Sequence, residues 1–316
     1  MSKSFDFRRA RPWEVALTAL ALSAPLLLPF TDAGSNGFVR KAVAQEMQQV
    51  DSSKLVAIGG AVTEIVYALG EGSRLVARDS TSMFPEDALK LPDVGYMRQL
   101  SPEGVIAVNP TAILAVEGSG PPDALAVLKS AGIPFETVPE GFDRAAILKK
   151  IAVIGDFLGV PDKAKALEAE VGADLDSAIA DAATRPENER KRVLFILSFQ
   201  NGKVMAAGAH TAADGIIGLA GAINATEGAF EGYKPLTDEA VIEAKPDVVM
   251  VMTRPGAGSS DEEVLAHPAI SVTPAGANKA ILRMNSLHLL GFGPRTASAI
   301  RDLNKELYGK PGNVSQ

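Results

Sequence analysis

A motif written twice sets the architecture of this chain. Gly95-Tyr96-Met97-Arg98-Gln99-Leu100-Ser101-Pro102-Glu103 runs on to Val105, Ile106 and Pro110; Gly232-Tyr233-Lys234-Pro235-Leu236-Thr237-Asp238-Glu239 runs on to Val241, Ile242 and Pro246. Seven residues lead from the glutamate to the later proline in both copies, and an apolar run follows each, at 113–116 and 248–252. A pattern that recurs with its glutamate-to-proline spacing intact marks a repeated structural unit, here a helix followed by a strand. Two such α/β lobes in one chain leave a cleft between them, and clefts of that kind hold small ligands.

The rest of the chain fits this frame. Short apolar strands are expected at 55–58, 75–78, 113–116 and 135–138, with helices at 63–69, after Ser101 and at 121–131. Ser101 is a good N-cap and Pro102 suits the first helical position. A second series starts at Arg192. It has strands at 193–197, 248–252 and 280–283, a helix at 211–219 capped by Thr211 with Asp214 at N3, and helices at 261–266 and 294–307. Between the two series, 143–157 and 164–183 read as helices broken at Gly159-Val160-Pro161. The longer one is either a rigid connector or an ordinary surface helix of one lobe. The expected division is a signal peptide at 1–44, an N-terminal α/β lobe at 52–142, a helical connector region at 143–190 and a C-terminal α/β lobe at 191–311.

Arg8, Arg9 and Arg11 precede an apolar run from Val15 to Phe30 that contains Pro25 and Pro29, and Ala42-Val43-Ala44 offers small residues for a cut before Gln45. That layout predicts export, since the apolar run is short for a membrane span. The stretch from Phe30 to Ala44 is long for a leader, so an uncleaved anchor is the alternative. Arg8-Arg9 keeps the twin-arginine route open beside the general one. The chain carries 31 Lys+Arg against 38 Asp+Glu; the first 44 residues hold six of the basic and three of the acidic groups, leaving 25 against 35, net −10. So acidic a chain is a poor non-specific binder of nucleic acid. It has no cysteine, which excludes disulfides, thiolate-held metals, iron–sulfur clusters and thiol nucleophiles. About 270 residues after the leader bury a sufficient core without disulfides.

Enzymatic signals are sparse. The three histidines, His210, His267 and His288, form no i,i+4 pair and no HExxH, against a catalytic zinc site. Gly59-Gly60 and the glycines at 218 and 221 lack the spacing of a nucleotide-phosphate loop. Ser198 has no nucleophile-elbow sequence around it. Tyr96 is more informative. It follows a glycine, precedes a helix and has Arg98 two residues on. A tyrosine so placed either packs its loop or presents its hydroxyl to the cleft, where a cation or a ferric iron favours the phenolate. Tyrosinate is one of the axial ligands that haem iron accepts.

The chain resembles the periplasmic haem-binding components of bacterial haem ABC importers, within the wider group that binds ferric siderophores or cobalamin. The resemblance rests on 95–104, Ala207-Gly208-Ala209-His210-Thr211-Ala212-Ala213-Asp214, Phe230-Glu231-Gly232-Tyr233-Lys234-Pro235-Leu236, Thr273-Pro274-Ala275-Gly276 and Leu289-Leu290-Gly291-Phe292-Gly293-Pro294-Arg295. It implies an α/β fold of two Rossmann-like lobes joined by a long rigid helix, with the ligand cleft between them. It also implies that the chain captures haem b as transported cargo, in a periplasmic monomer that delivers to an inner-membrane permease dimer with its ATPase. By resemblance, Tyr96 is the axial ligand and Arg98 favours its phenolate or pairs with a haem propionate. Arg254 is a second propionate candidate or a solvated loop arginine. Tyr233 stacks on the porphyrin or packs its loop. His210 is a further iron contact, serves a second stacked haem, or is a solvent-facing residue at a helix start. His288 stands where relatives often carry an aromatic residue and is given no iron. Glu103 and Glu239 imply docking to permease arginines, one per lobe; each also fits a helix first turn on its own account. Glu64 is the alternative to Glu103. The competing readings are a ferric-siderophore or cobalamin carrier of the same fold and, in a different class, an exported α/β hydrolytic enzyme.

Overall fold

Two unbroken apolar runs, Leu-Val-Ala-Ile and Ala-Ile-Leu-Ala-Val, form the centre of the first sheet. The structure, a computed structural model, describes residues 50–200, 202–253 and 259–309. The expected leader, Arg254 and the last six residues lie outside them. Strands β1 (Leu55–Ile58) and β3 (Ala112–Val116) are buried throughout, between β2 (Leu75–Arg78) and β4 (Phe135–Val138) in the parallel order β2-β1-β3-β4. Apolar groups pack on both faces of the sheet, which is why the central strands do not alternate in polarity. Leu55 and Ala57 enter one core; Val56 and Ile58 enter the other, as the twofold period of a strand requires. The helices of this lobe are α1 (Gly60–Ala68), α2 (Pro102–Ile106) and α3 (Pro122–Ser130).

Two helices follow, α4 (Arg144–Phe157) and α5 (Pro161–Ala183). The second sheet contains β5 (Arg192–Gln200), β6 (Lys203–Ala207), β7 (Ile223–Asn224), β8 (Tyr233–Leu236), β9 (Val248–Thr253) and β10 (Ile281–Asn285). Its order is β10-β9-β5-β6-β8, with β7 beside β5; β6 and β8 run antiparallel to their neighbours. Helices α6 (Ala212–Leu219), α7 (Asp238–Ala244), α8 (Asp261–Leu265), α9 (Pro268–Ser271), α10 (Pro274–Ala277), α11 (Ser286–Leu290) and α12 (Thr296–Tyr308) complete the lobe. Among the described residues no helix is long and apolar enough to cross a membrane.

The two motif copies agree and then differ. Ser101 caps α2 by accepting from the Gly104 N–H, and Thr237 caps α7 by accepting from the Ala240 N–H. Glu103 and Glu239 are the second residues of these helices. Upstream, however, Met97 and Arg98 form a turn, whereas Tyr233–Leu236 is an edge strand. Strands β6 and β8 were not expected: Pro235 hides β8, and an edge strand tolerates a residue with no N–H to donate.

Helix α5 packs on α4 and on α12 of the second lobe, and Lys163 near its start reaches Glu71 of the first. At 23 residues it is about 35 Å long. Arg144 pairs with Asp176 (2.6 Å), Lys163 with Glu71 (2.6 Å) and Arg301 with Asp174 (2.5 Å). The inner faces of both sheets share one core. Leu55, Leu114 and Ile65 of the first lobe belong with Phe195, Met250 and Ile300 of the second.

A polar seam joins the lobes beside this core. Arg295 donates through its backbone N–H and its Nη2 to the two oxygens of Glu64, at 3.1 and 2.9 Å, and lies 3.6 Å above the Phe84 ring. Glu64 is only 6% exposed. This overturns its place as a docking alternative to Glu103: a buried carboxylate held by an arginine of the other lobe has no surface to offer. Buried Lys150 on α4 pairs with Glu140 and donates to the Phe292 carbonyl (3.3 Å), and Phe292 meets Phe142 edge-on at 5.2 Å.

Candidate functional site

The Tyr96 loop is held by its backbone, which leaves its side chains free. Arg78 ends β2 and pairs with Asp93 through a parallel bridge and an ion pair of 2.9 Å. Asp93 accepts the Gly95 N–H at 2.8 Å, and Gly95 turns the chain at φ 101°, a conformation that requires glycine. The Gly95 carbonyl accepts from Ser80, Tyr96 from Gln99, and Met97 from Gly120. Ser80 is fixed in turn by Asp79, a fully buried carboxylate that accepts four hydrogen bonds, from the Gly59 and Thr81 N–H groups and the Thr81 and Ser82 hydroxyls. Sequence reasoning passed over Asp79. Its signal was an aspartate followed by Ser-Thr-Ser at a strand end, where such side chains bond local backbone. Tyr96 is 44% exposed, and Arg98 is exposed one turn residue beyond. Among the described residues neither side chain has a hydrogen-bond or ion-pair partner.

The facing part of the second lobe is built on β6 and β8. Gly208 donates to the Gly232 carbonyl, Ala209 to Phe230, and Gly232 back to Ala209, so Tyr233 lies across from Ala207 and next to the start of α6. Burial pushes the Tyr233 phenol up; the Thr211 hydroxyl, the Ala213 amide and the Arg98 guanidinium pull it back. The Arg98 charge reaches Tyr233 weakly, as the smallest of these influences.

His210 stands at φ 59°, the left-handed region, directly before the cap of α6. A polar network holds it there. Asp214 accepts the His210 N–H (3.1 Å) and the Asn224 amide (2.9 Å); Thr211 and Thr226 donate to the Gly208 and Ala207 carbonyls. Asn224 and Thr226 are buried and were not anticipated, because they come from beyond α6 and meet the loop only in the folded chain. The imidazole is exposed, with Nε2 3.7 Å from Glu231 Oε1. His288 bonds Asp302 at 2.9 Å, and buried His267 bonds the Gly202 carbonyl at 3.0 Å. Glu103 and Glu239 are fully exposed. A bond from its own backbone N–H and the cap hydroxyl hold each carboxyl below the ordinary glutamate range.

The Tyr96–Arg98 turn and the β6–β8 segment beside His210 thus present two tyrosines, an arginine and a histidine on backbone-anchored chain, groups that suit a ligand with a metal or anionic groups. A family described as periplasmic binding protein matches residues 55–286. The chain belongs to that family. The periplasmic heme-binding protein BhuT, solved with two hemes, is 38% identical, with a TM-score of 0.75, covering 80% of this chain and 97% of that one. The periplasmic heme-binding protein RhuT from Roseiflexus sp. RS-1 is 36% identical, with a TM-score of 0.77 and coverage of 81% and 98%. A vitamin B12-binding protein of Yersinia pestis is 27% identical over 202 residues, 63% of this chain and 69% of its own length. The periplasmic binding protein fold accounts for both the paired lobes and the helix between them.

Proposed function

We propose that this protein binds haem in the periplasm and delivers it to an ABC importer, with no turnover chemistry of its own. The observation that carries this is the exposed Tyr96 on an anchored loop, without a hydrogen-bond partner among the described residues and with Arg98 beside it, in a chain 36–38% identical to two heme-binding proteins. Tyr96 is the axial ligand, and haem b is the cargo. Arg98 stabilises the phenolate or a propionate, and Arg254 supplies a second cation for the propionates. Tyr233 packs against the porphyrin, and His210 is a further iron contact. Residues 1–44 direct export, the mature protein is a monomer, and residues 52–142, 143–190 and 191–311 act as lobe, connector and lobe. Glu103 and Glu239 dock the two lobes on a dimeric permease.

The test is titration of apo protein with haemin, with cyanocobalamin and a ferric siderophore as controls. Ferric haem is expected to give a high-spin, tyrosinate-type spectrum. Tyr96→Phe keeps most of the ring and removes the oxygen, so the charge-transfer band disappears and haemin weakens far more than iron-free porphyrin. An unchanged spectrum in that variant removes Tyr96 as the ligand. Preferential binding of cobalamin or the siderophore overturns the haem reading.

A further inference from the structure

Of the nine large hydrophobic side chains exposed among the described residues, Ile106 and Ile242 hold equivalent positions in the two motif copies, and Val127 and Val272 lie on or at the end of a helix packed beside them. Ile106 is 36% exposed on α2, three residues after Glu103. Ile242 is 45% exposed on α7, three residues after Glu239. Residues three apart share a helix face, so each isoleucine stands beside its glutamate. The neighbouring helix repeats the arrangement. Helix α3, packed on α2, exposes Val127 at 49%; Val272, exposed at 67%, is the C-cap residue just past α9, which packs on α7. A lone exposed aliphatic residue is ordinary. Matching acid–isoleucine pairs, each with an exposed valine on or at the end of the adjoining helix, are not expected from chance exposure. Capping explains the glutamates and leaves the isoleucines unexplained.

We infer that Ile106 with Val127, and Ile242 with Val272, form two equivalent apolar contact patches for one protein partner that presents two like faces, each a basic side chain beside an apolar pocket. The inference rests on the docking reading of Glu103 and Glu239 and adds the groups that hold the complex once it has formed. Charge complementarity selects the partner: each patch carries a carboxylate that stays ionised, so the facing surface is cationic at its rim and apolar at its centre. Duplication on two lobes selects a partner built twice over, as a dimer is. Rim charges govern encounter, whereas desolvated aliphatic contacts govern residence. Patches of two aliphatic side chains hold a carrier without trapping it, which suits a protein that has to leave after unloading.

The experiment compares haem-loaded wild type, Ile106→Ser, Ile242→Ser, their double variant and Glu103→Lys/Glu239→Lys on the cognate permease complex in lipid discs. Dissociation is followed at low salt and at about 0.5 M salt, where charges more than a few ångströms apart are screened. Each serine is expected to speed dissociation about tenfold and the double about a hundredfold, since the two patches are on separate lobes and act independently. That loss persists at high salt, while the lysine defect narrows. Haemin stoichiometry and melting temperature stay at wild type, and Val127→Ser/Val272→Ser repeats the defect. Wild-type dissociation of the serine double with a failing lysine double refutes the apolar patches and leaves the glutamates standing. Wild-type behaviour of both doubles refutes the docking reading as well. Self-association or binding to protein-free vesicles that the serine double abolishes assigns the patches to a second copy or to lipid, and overturns the inference.

Discussion

The two tyrosines of the repeat have different chemistry despite their shared motif. Tyr96 stands on a turn, 44% exposed and without a partner among the described residues, whereas Tyr233 lies in β8, 38% exposed as a residue but with its phenol end desolvated and pushed up. Desolvation disfavours the Tyr233 phenolate, which suits the packing and hydrogen-bonding role proposed for it. Tyr233→Phe is accordingly expected to keep the tyrosinate-type spectrum and to lower haemin affinity by about threefold, the worth of one partly exposed hydroxyl. A lost charge-transfer band in this variant exchanges the roles of the two residues. The His210 ring is largely exposed, with its Nε2 3.7 Å from Glu231 Oε1. If iron recruits the imidazole, His210→Ala changes the spin state or the haem-to-protein ratio, and Glu231→Gln, which removes the nearby charge, does not. Identical spectra and stoichiometry in His210→Ala make the residue a helix-entry feature only.

At the scale of elements, α5 depends on polar ties as well as on its buried face. Lys163 at its start reaches Glu71, which also pairs with Arg74 at 2.6 Å. The Lys163 hydrogen bond, with Arg74 in support, holds the Glu71 carboxyl below its ordinary value. A depressed carboxyl contributes stability that is present above the unfolded-state pKa and is lost as pH falls through the folded one. Glu71→Gln is therefore expected to cost about 0.5–1 kcal/mol at pH 7, a solvent-screened magnitude. The gap to wild type closes as pH drops through the carboxylate range. Urea unfolding at neutral and acid pH measures it, and a gap that stays constant with pH removes the charge from the explanation. Gly155 shows a different constraint: a Cβ there would collide with Ala164 Cβ, so α4 and α5 approach closely only because one of them lacks a side chain.

For the whole molecule, the shared inner core and the Glu64–Arg295 seam oppose a wide hinge. Opening the lobes would expose Leu287, which lies against Gly60, and would unpair a buried carboxylate. Small closure is the expected response to cargo, so solution scattering of apo and haem-loaded protein gives nearly equal radii of gyration. Glu64→Ala removes both bonds to Arg295. It is expected to cost about 2 kcal/mol of stability and to make the apo radius larger than the loaded one. A contraction of several ångströms on loading wild type would show that the connector bends.

The amino-acid sequence by itself determined the parts that rest on local patterns. Unbroken apolar runs marked the buried strands, Ser101 and Thr211 marked helix starts, and the duplicated glycine–tyrosine–glutamate motif marked two lobes. Each of these signals is complete within a few residues, because capping, turn geometry and burial of a strand are local demands on the chain. Tertiary structure alone decided the rest. Glu64 reads as an acid on a helix until Arg295, 231 residues away, takes both its oxygens. Pro235 argues against a strand until β6 supplies an edge on which no N–H is needed. Tyr96 and Tyr233 share a motif and part company only when one falls on a turn and the other pairs with β6. Pairing, edge position and desolvation are properties of surroundings, and those surroundings come from segments far apart in the chain.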